Sequence, residues 1–383
     1  MHILELPSFF RPHGGNFCLE QSRALKSLGH DVRILSCTQL AVTADRFFYF
    51  NSPRGCWWED IDGIECYLSF VHGVPKMVRL NQQRWVERVL SMYRDYKERF
   101  GRPDLIHAHC SKWAGVAAQQ LAMHEGIPYY VTEHLSSILY RRDFGPNWEL
   151  CPWARPLIRE AMESAQCVIP VADELVEDLR PFFGDKYRFR TVSNIVDVNF
   201  FARKRGIVAD GASDKNRPFR FVCLARADVK GKGFDVLADA MNDDWLLHNN
   251  AELHVAGRGT FGLRRLFPQR EVTLHGELDK TGVRDLLWQC DALVLPTRCE
   301  AQPLVLFEAM CSGLPVVTTE AVPQSVRIPG ACTVVPIGDA AALCDAMSHV
   351  MTLTPDPAWV EQACEVVSPQ FVARRLEAIF MER

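Results

Sequence analysis

The chain has 383 residues, of which 48% are hydrophobic and 23% charged, an ordinary balance for a soluble globular protein. That length suits two domains, each with its own core. A net charge of -4 and a pI near 6.3 give no electrostatic basis for nucleic-acid binding.

Fourteen cysteines run irregularly from Cys18 to Cys364 without a C-x-x-C pair, which argues against a zinc ribbon or a redox motif. They read as small core hydrophobes of a reduced, cytoplasmic protein. The opening Met1-His2-Ile3-Leu4-Glu5-Leu6-Pro7 meets a charge after two apolar residues and then a proline, unlike a signal peptide. No apolar run reaches the ~18 residues that span a bilayer.

Short β-branched runs alternate with helical patterns, which predicts parallel α/β layers. In the first half, strands are expected at 1–6, 31–36, 105–108, 129–132, 167–171 and 189–193. A helix is expected over 17–28, closed by Gly29. Residues 203–218 are poor in apolar side chains and read as a linker. The alternation then restarts: strands at 219–225, 252–256, 272–275, 292–296 and 315–319, with helices at 234–242, 280–289 and 304–311. A terminal amphipathic helix fills 369–383.

The most informative segment is 295–315. A strand ends at Pro296, a short loop carries Glu300, and a helix opens at Pro303-Leu304-Val305, contains Glu308 and ends before Gly313. Free N–H groups at such a helix start form an anion site at the carboxyl edge of a parallel sheet. Two carboxylates so placed can hold hydroxyls of a sugar and a ribose, with the phosphates between them. Two ordinary surface glutamates beside a sound helix would show the same spacing.

Glu300 and Glu308 match the E-x7-E motif, and with Ala309-Met310 and 313–317 this segment resembles the retaining glycosyltransferases of family 4. Arg226 and Lys232 look like that family's Arg…Lys-Gly pair, and Gly14-Gly15 like its glycine-rich loop. The segment 104–109, ending His107-Ala108-His109, and then His134 fall where the family has a His-x-His strand and a histidine at the cleft. The resemblance implies two facing Rossmann-like domains of the GT-B type with a cleft between them: 1–201 on the acceptor side, a linker at 202–217, and 218–368 binding the nucleotide sugar. It also implies that the helix 369–383 packs back on the first domain.

The chemistry of the basic pair stands apart from the resemblance. Breaking a sugar–diphosphate bond builds charge on the leaving diphosphate, and fixed cations there favour the transition state. Arg226 offers a fork and Lys232 a point charge, although a solvated basic loop would read alike. Gly257-Arg258-Gly259-Thr260-Phe261-Gly262 formally reads G-x-G-x-x-G, but the expected acidic partner is missing, so a loop near the nucleotide base is the better reading. Asp60-Ile61-Asp62-Gly63 is read as a hairpin turn rather than a metal motif. His107, His109 and Cys110 make a poor metal trio, because alternation puts the cysteine on the opposite face.

Residues 76–102 mix arginine and lysine with Met77, Leu80, Trp85, Val89, Leu90 and Met92. They read as a solvated helix face or as a peripheral contact with the inner membrane face. Departures from the family pattern include Gln302-Pro303 after the first glutamate, 321–324 in place of a Gly-Gly segment, and Asn194-Ile195 where Asn-Gly is usual.

The expected function is retaining, metal-independent transfer of a hexose-type sugar from a nucleoside-diphosphate sugar, UDP or GDP, to a glycan or polyprenyl-linked acceptor in polysaccharide synthesis. No cofactor is expected. Arg226, Lys232, Glu300 and His134 are the expected catalytic residues. Gly14, Gly15, Gly257, Pro303, Leu304, Val305 and Glu308 are the expected substrate contacts. A sugar-nucleotide epimerase, an NAD oxidoreductase and a non-catalytic sugar-nucleotide binder are the rivals.

Overall fold

The computed structural model describes residues 1–11, 14, 16–43, 46–144, 149, 151–202, 217–241, 245–269 and 271–382. Gly15 and the greater part of the expected linker, 203–216, lie outside the described residues. The chain forms two compact units, Met1–Ile195 with Pro369–Arg383, and Val196–Ser368.

The first unit contains β1 (His2–Pro7), β2 (Asp31–Leu40), β3 (Cys56–Ile61), β4 (Ile64–His72), β5 (Leu105–His109), β6 (Tyr129–Glu133) and β7 (Cys167–Pro170). They lie in the order β3-β4-β2-β1-β5-β6-β7, parallel except for the β3–β4 hairpin. The hairpin turns at Asp62 and Gly63, with φ of 53° and 82°, the two positive values a two-residue turn of this hand needs. Asp60 accepts from the Gly63 amide at 3.0 Å, so the D-x-D is spent on the turn.

The second unit contains β8 (Phe219–Leu224), β9 (Ala251–Ala256), β10 (Val272–Gly276), β11 (Ala292–Leu295), β12 (Val316–Thr319) and β13 (Cys332–Val335). Their order is β10-β9-β8-β11-β12-β13, with every pairing parallel. Both faces of such a sheet are covered, which is why its strands read as near-continuous apolar runs. In each unit the order reverses beside the first strand, between β1 and β5 and between β8 and β11. At such a reversal the loops leaving the carboxyl ends diverge and open a crevice.

The helix Pro369–Met381 belongs to the first unit. Its Val372, Ala373, Leu376, Ile379 and Phe380 recur on one face and join the cluster of Ile3, Leu25, Leu105, Tyr130 and Ile169. The Phe380 ring stands 5.1 Å from that of His107 and 4.8 Å from that of Tyr130.

Two expectations differ from the structure. Residues 189–193 form no strand; they run beside β7 with one bridge, Val168 with Phe189, and a bond from Val192 N to Pro170 O at 3.1 Å. Residues 196–201, expected in the first domain, pack with the second unit. The Phe201 carbonyl accepts from Trp288 at 2.8 Å and Ser312 at 3.0 Å, and Val196 donates to Val367 at 3.0 Å. Among the described residues no helix is long and apolar enough to cross a membrane.

Phe380→Ala is expected to cost about 3–5 kcal/mol, the usual loss for a buried aromatic. Urea unfolding followed by far-UV dichroism reads it, and a loss below about 1 kcal/mol would show that the terminal helix does not anchor the first unit.

Candidate active site

At the reversal of the second sheet, the loop after β8 and the loop after β11 are clasped together. Gly231 O accepts from the Arg298 amide at 2.9 Å and from Thr297 Oγ1 at 3.2 Å. Lys230 O accepts from Arg298 Nη1 at 2.6 Å. The Arg298 guanidinium grips Asp235 with two bonds of 2.7 and 3.0 Å. Burial works to raise the Asp235 carboxyl, but Arg298 and Lys230 hold it down at about 2.

Gly233 lets the loops meet. Its φ is +70°, and a Cβ there would stand 1.8 Å from the Pro296 carbonyl oxygen, so no other residue fits without moving the backbone. The closure brings two expected site residues together: Lys232 Nζ lies 2.5 Å from Glu300 Oε1. Their side chains are 22% and 13% exposed, so the pair is shielded but reachable.

Arg226 follows β8 on the other side. It is 57% exposed, with Asp228 at 3.7 Å, a looser contact than that of Lys232. Gly257, at the end of β9, has a φ of +140°, and a Cβ there would lie 2.1 Å from Ala225 O. The β9 loop therefore presses on the backbone just before Arg226. Beside them is a cavity of about 370 Å³ lined by Ala225, Arg226, Gly257, Glu277, Leu278 and Val305. Residues Thr260–Arg265 wind into a tight helical turn rather than opening an α-helix, unlike a dinucleotide fingerprint.

Val305 belongs to the helix Leu304–Cys311, whose cap residue, Pro303, makes no side-chain capping bond. The first amides of that helix have no intrahelical acceptor and carry the positive end of its dipole. The helix stops at Gly313, φ 80°, where Gly313 N bonds to Met310 O at 2.9 Å and Leu314 N to Ala309 O at 3.0 Å. Glu308, one turn in, is half-buried. Burial pushes its carboxyl up to about 7, against the pull of Lys280.

The first unit has a buried polar network at the corresponding reversal. Glu5 on β1 is wholly buried, and so are His107 and His109 on β5. Glu5 Oε2 lies 3.0 Å from His107 Nδ1 and 2.7 Å from His109 Nε2. Burial tends to raise the Glu5 carboxyl, yet the two histidines hold it at about 2. His107 Nε2 meets Thr132 Oγ1 at 2.7 Å, and His109 Nδ1 meets His134 Nε2 at 3.3 Å.

Donor counting assigns the tautomers. An ionised carboxylate can only accept, so His107 and His109 each donate an N–H hydrogen bond to it. The free Nδ1 of His109 then accepts from His134 Nε2. His134 is left with a bare, buried Nδ1 that has no partner among the described residues. Burial, with His109 and His107 nearby, pushes the His134 imidazole well below its usual range, so it stays neutral. Its ring lies against Phe17 with centroids 3.9 Å apart. His134 thus presents a hydrogen-bond acceptor.

The ligating atoms of Glu5, His107 and His109 lie within 4.8 Å of one another, as a metal trio would require. Each is already engaged in the network, and Glu5 stands in the place that the sequence reading gave to Cys110. Next to them, Glu133 accepts from the Ser111 amide at 3.0 Å, the Leu135 amide at 2.9 Å and the Tyr140 hydroxyl at 2.9 Å. Burial raises its carboxyl despite those donors. Cys110 and Trp113 in the adjoining loop have φ of 72° and 66°, values a non-glycine residue holds only when its surroundings compel it. Gly14, φ +114°, is open, with nothing within 4 Å of a would-be Cβ.

Glu5, Asp235, Arg298 and Lys280 were absent from the candidates read in sequence. Glu5 had a visible signal, a lone charge inside an apolar strand of a chain that also carries a His-x-His strand. Asp235 and Arg298 are 63 residues apart and gave none.

Glu308 yields a pH prediction. Its folded value near 7 lies above the ordinary 4.5, so between those values the folded form binds the extra proton. That favours the fold at low pH and is lost as pH rises through 7. Glu308→Gln is therefore expected to be more stable than the parent at pH 8, by on the order of 1–3 kcal/mol, with the gap closing towards pH 5. Thermal midpoints across that range check it, and a constant gap would remove the burial argument.

Comparison with known proteins agrees with this architecture. Residues 14–200 match the family model Glycosyltransferase Family 4, and residues 218–352 match Glycosyl transferases group 1. TuaC of Bacillus subtilis (strain 168), whose assigned role is as a glycosyltransferase of teichuronic acid biosynthesis, is 24% identical over 323 residues, covering 82% of this chain and 78% of its own. Among solved structures, sucrose-phosphate synthase from Thermosynechococcus elongatus superposes with a TM-score of 0.76 at 17% identity, covering 99% of this chain and 98% of its own. Alr3699/HepE of Anabaena, solved with UDP and glucose, gives 0.69 at 16% identity, covering 99% of each chain. At these identities the solved structures establish the fold, which is GT-B.

Proposed function

From a chain that carries a family 4 glycosyltransferase domain and a group 1 glycosyl transferase domain, we propose a retaining, metal-independent hexosyltransferase of polysaccharide synthesis. It takes a nucleoside-diphosphate sugar, with UDP or GDP as the nucleotide, and a glycan or polyprenyl-linked acceptor. It works in the cytoplasm, with peripheral contact to the inner membrane face through part of 76–102.

The observation that carries this reading is the Lys232–Glu300 pair at 2.5 Å on the β8–β11 reversal, together with a cavity lined by Arg226 and Val305 and a helix start without a side-chain cap. A cation and a carboxylate that close together suit a sugar hydroxyl and the phosphate on its anomeric carbon. In the reaction the bond from the anomeric carbon to the diphosphate oxygen breaks, and a bond to the acceptor oxygen forms on the same face. The acceptor proton passes to the leaving phosphate. Lys232, Arg226 and the amides of Leu304 and Val305 take up the charge that grows on the diphosphate. Glu300 orients the sugar and Glu308 the ribose. A carboxyl near pH 7 suits a ribose diol, since either of its forms can hydrogen-bond a hydroxyl. Gly257 faces the base. His134 offers its bare Nδ1 to a hydroxyl donor, and Gly14 and Gly15 supply amides to phosphate.

Thermal unfolding with UDP, GDP, ADP and NAD tests the donor class. One nucleoside diphosphate at about 100 times its dissociation constant adds roughly 2.7 kcal/mol, which Glu308→Ala should abolish. A response to NAD alone would overturn the reading. Donor consumed without any acceptor would replace it with epimerase chemistry.

Lys232→Ala is expected to lower kcat by about 10²–10³ while nucleotide binding changes little. An unchanged kcat, with the chemical step limiting, would remove Lys232 from the mechanism.

A further inference from the structure

The basic stretch 76–102 divides in two once its surroundings are visible. Along the helix Val78–Phe100, the apolar stripe faces the core: Trp85 is buried and donates to Cys37 O at 2.6 Å, and Val89 and Met92 are fully covered. That stripe is not available to a membrane. The first turn and the segment before it differ. Residues 74–80 are all exposed and run Val74-Pro75-Lys76-Met77-Val78-Arg79-Leu80, without an acid. The helix Arg46–Asn51 buries none of its residues, and Phe47 and Phe50 are 80% and 62% exposed. Of the twelve large hydrophobic residues that are exposed among the described residues, six lie between Phe47 and Leu80. That concentration is more than the scattered apolar surface of a free monomer.

Residues that follow these two segments in the chain or contact them line a cavity of about 530 Å³, among them Arg54, Phe70, His72, Arg84, Glu87 and Arg88. Arg84 donates to His72 O at 3.1 Å, and Arg88 has Cys56 Sγ at 3.8 Å. Among the described residues none of the three arginines has a carboxylate partner. Arg33 and Arg99 in the same unit, by contrast, share Glu65 at 3.0 Å each. The three arginines outnumber Glu87, which leaves the cavity cationic.

The pieces are tied to one another. Tyr49 stacks edge-on against His72 at 4.9 Å and donates to Gly73 O at 3.0 Å, while Phe48 meets Phe70 at 5.5 Å. Asn81 holds Val74 through both its amide and its carbonyl, at 2.8 Å each. A cationic recess rimmed by outward apolar side chains matches an anionic lipid surface: phosphates pair with arginine forks, and aromatic and aliphatic side chains enter the headgroup layer.

We propose that this face docks on anionic phospholipid, with a lipid phosphate in the Arg54–Arg84–Arg88 recess and Phe47, Phe50, Met77 and Val78 in the interfacial layer. This extends the membrane part of the reading above and is independent of its transfer chemistry. The recess and the apolar rim act together, because neither a few charges nor a few side chains alone hold a protein stably on a bilayer.

Sedimentation of the full chain with phosphatidylcholine vesicles, with and without about one third phosphatidylglycerol, tests it. The parent should sediment with the anionic vesicles only, and less so as salt is raised. Substituting Arg54→Ala, Arg84→Ala and Arg88→Ala together should cut the partition coefficient at least about tenfold, and the same three changed to lysine should retain salt-sensitive binding. Phe47→Ser with Phe50→Ser should weaken binding several-fold at unchanged salt dependence. Each variant is first shown to keep the parent's thermal midpoint and nucleotide response, so lost vesicle binding reports docking alone. Equal binding to neutral vesicles, no binding to anionic ones, or an unaffected alanine triple would overturn the proposal. Inorganic phosphate raising the midpoint without vesicle binding would make the recess a free-anion site. Self-association abolished by the Phe47 and Phe50 changes would make a second copy the occupant. Loss of the nucleotide response in Glu308→Ala with vesicle binding intact would bear on the transfer reading alone.

Discussion

The contact of Gly233 with the Pro296 carbonyl is the constraint on which the second unit's site depends. Two parallel strands whose connections leave on opposite faces have diverging loops at their carboxyl ends. Something must draw those loops together if their side chains are to act on one small molecule. Here it is a backbone approach that admits no Cβ, reinforced by Arg298 reaching back to Lys230, Gly231 and Asp235. The Lys232–Glu300 pair follows from that closure, because the lysine immediately precedes the glycine. Arg298 spends its charge on Asp235, whereas Lys232 and Arg226 on the same side of the sheet are not bound to it.

The first unit meets the same topological problem with side chains instead of backbone. Its reversal is filled by Glu5, His107 and His109, three ionisable groups without solvent exposure. An isolated carboxylate there would be too costly to keep ionised. Two imidazole N–H groups aimed at it offset that cost, and the one from His109 leaves that ring's other nitrogen to face His134. The direction of hydrogen bonding therefore propagates outward from Glu5 to His134. The far end of the row behaves as an acceptor because its other end is an anion.

Much of this was legible in the sequence where a local signal existed. The strands of the second unit read from apolar runs, and the helix Leu304–Cys311 from its proline and glycine boundaries. The hairpin at Asp62-Gly63 read from turn chemistry. What escaped were features made by distant partners. Residues 189–193 have strand-like composition, yet beside β7 they make a single bridge and one further bond, from Val192 N to Pro170 O. Residues 196–201 continue without a compositional break, and their allegiance to the second unit is decided by Trp288 and Ser312. Glu5 looked like an interruption in an apolar strand until the histidines of β5, four strands later in sequence and its neighbour in the sheet, gave it partners. The apolar periodicity of the helix Val78–Phe100 was visible, but periodicity does not say which body covers the stripe, and here the sheet does.

The charge balance of the second unit bears on how a reaction there would gain from binding. Lys232 already has a carboxylate partner, so a phosphate in its ground state must compete with Glu300 and gains little net attraction from the lysine. Charge building on a leaving diphosphate makes the phosphate the stronger partner as the bond breaks. A cation so held contributes more to the transition state than to the bound donor. Arg226, more exposed and with its acid at 3.7 Å, has less to give up and suits the ground-state grip. On the proposed reading the two cations are therefore unequal by construction: the loose arginine serves binding and the shielded lysine serves turnover.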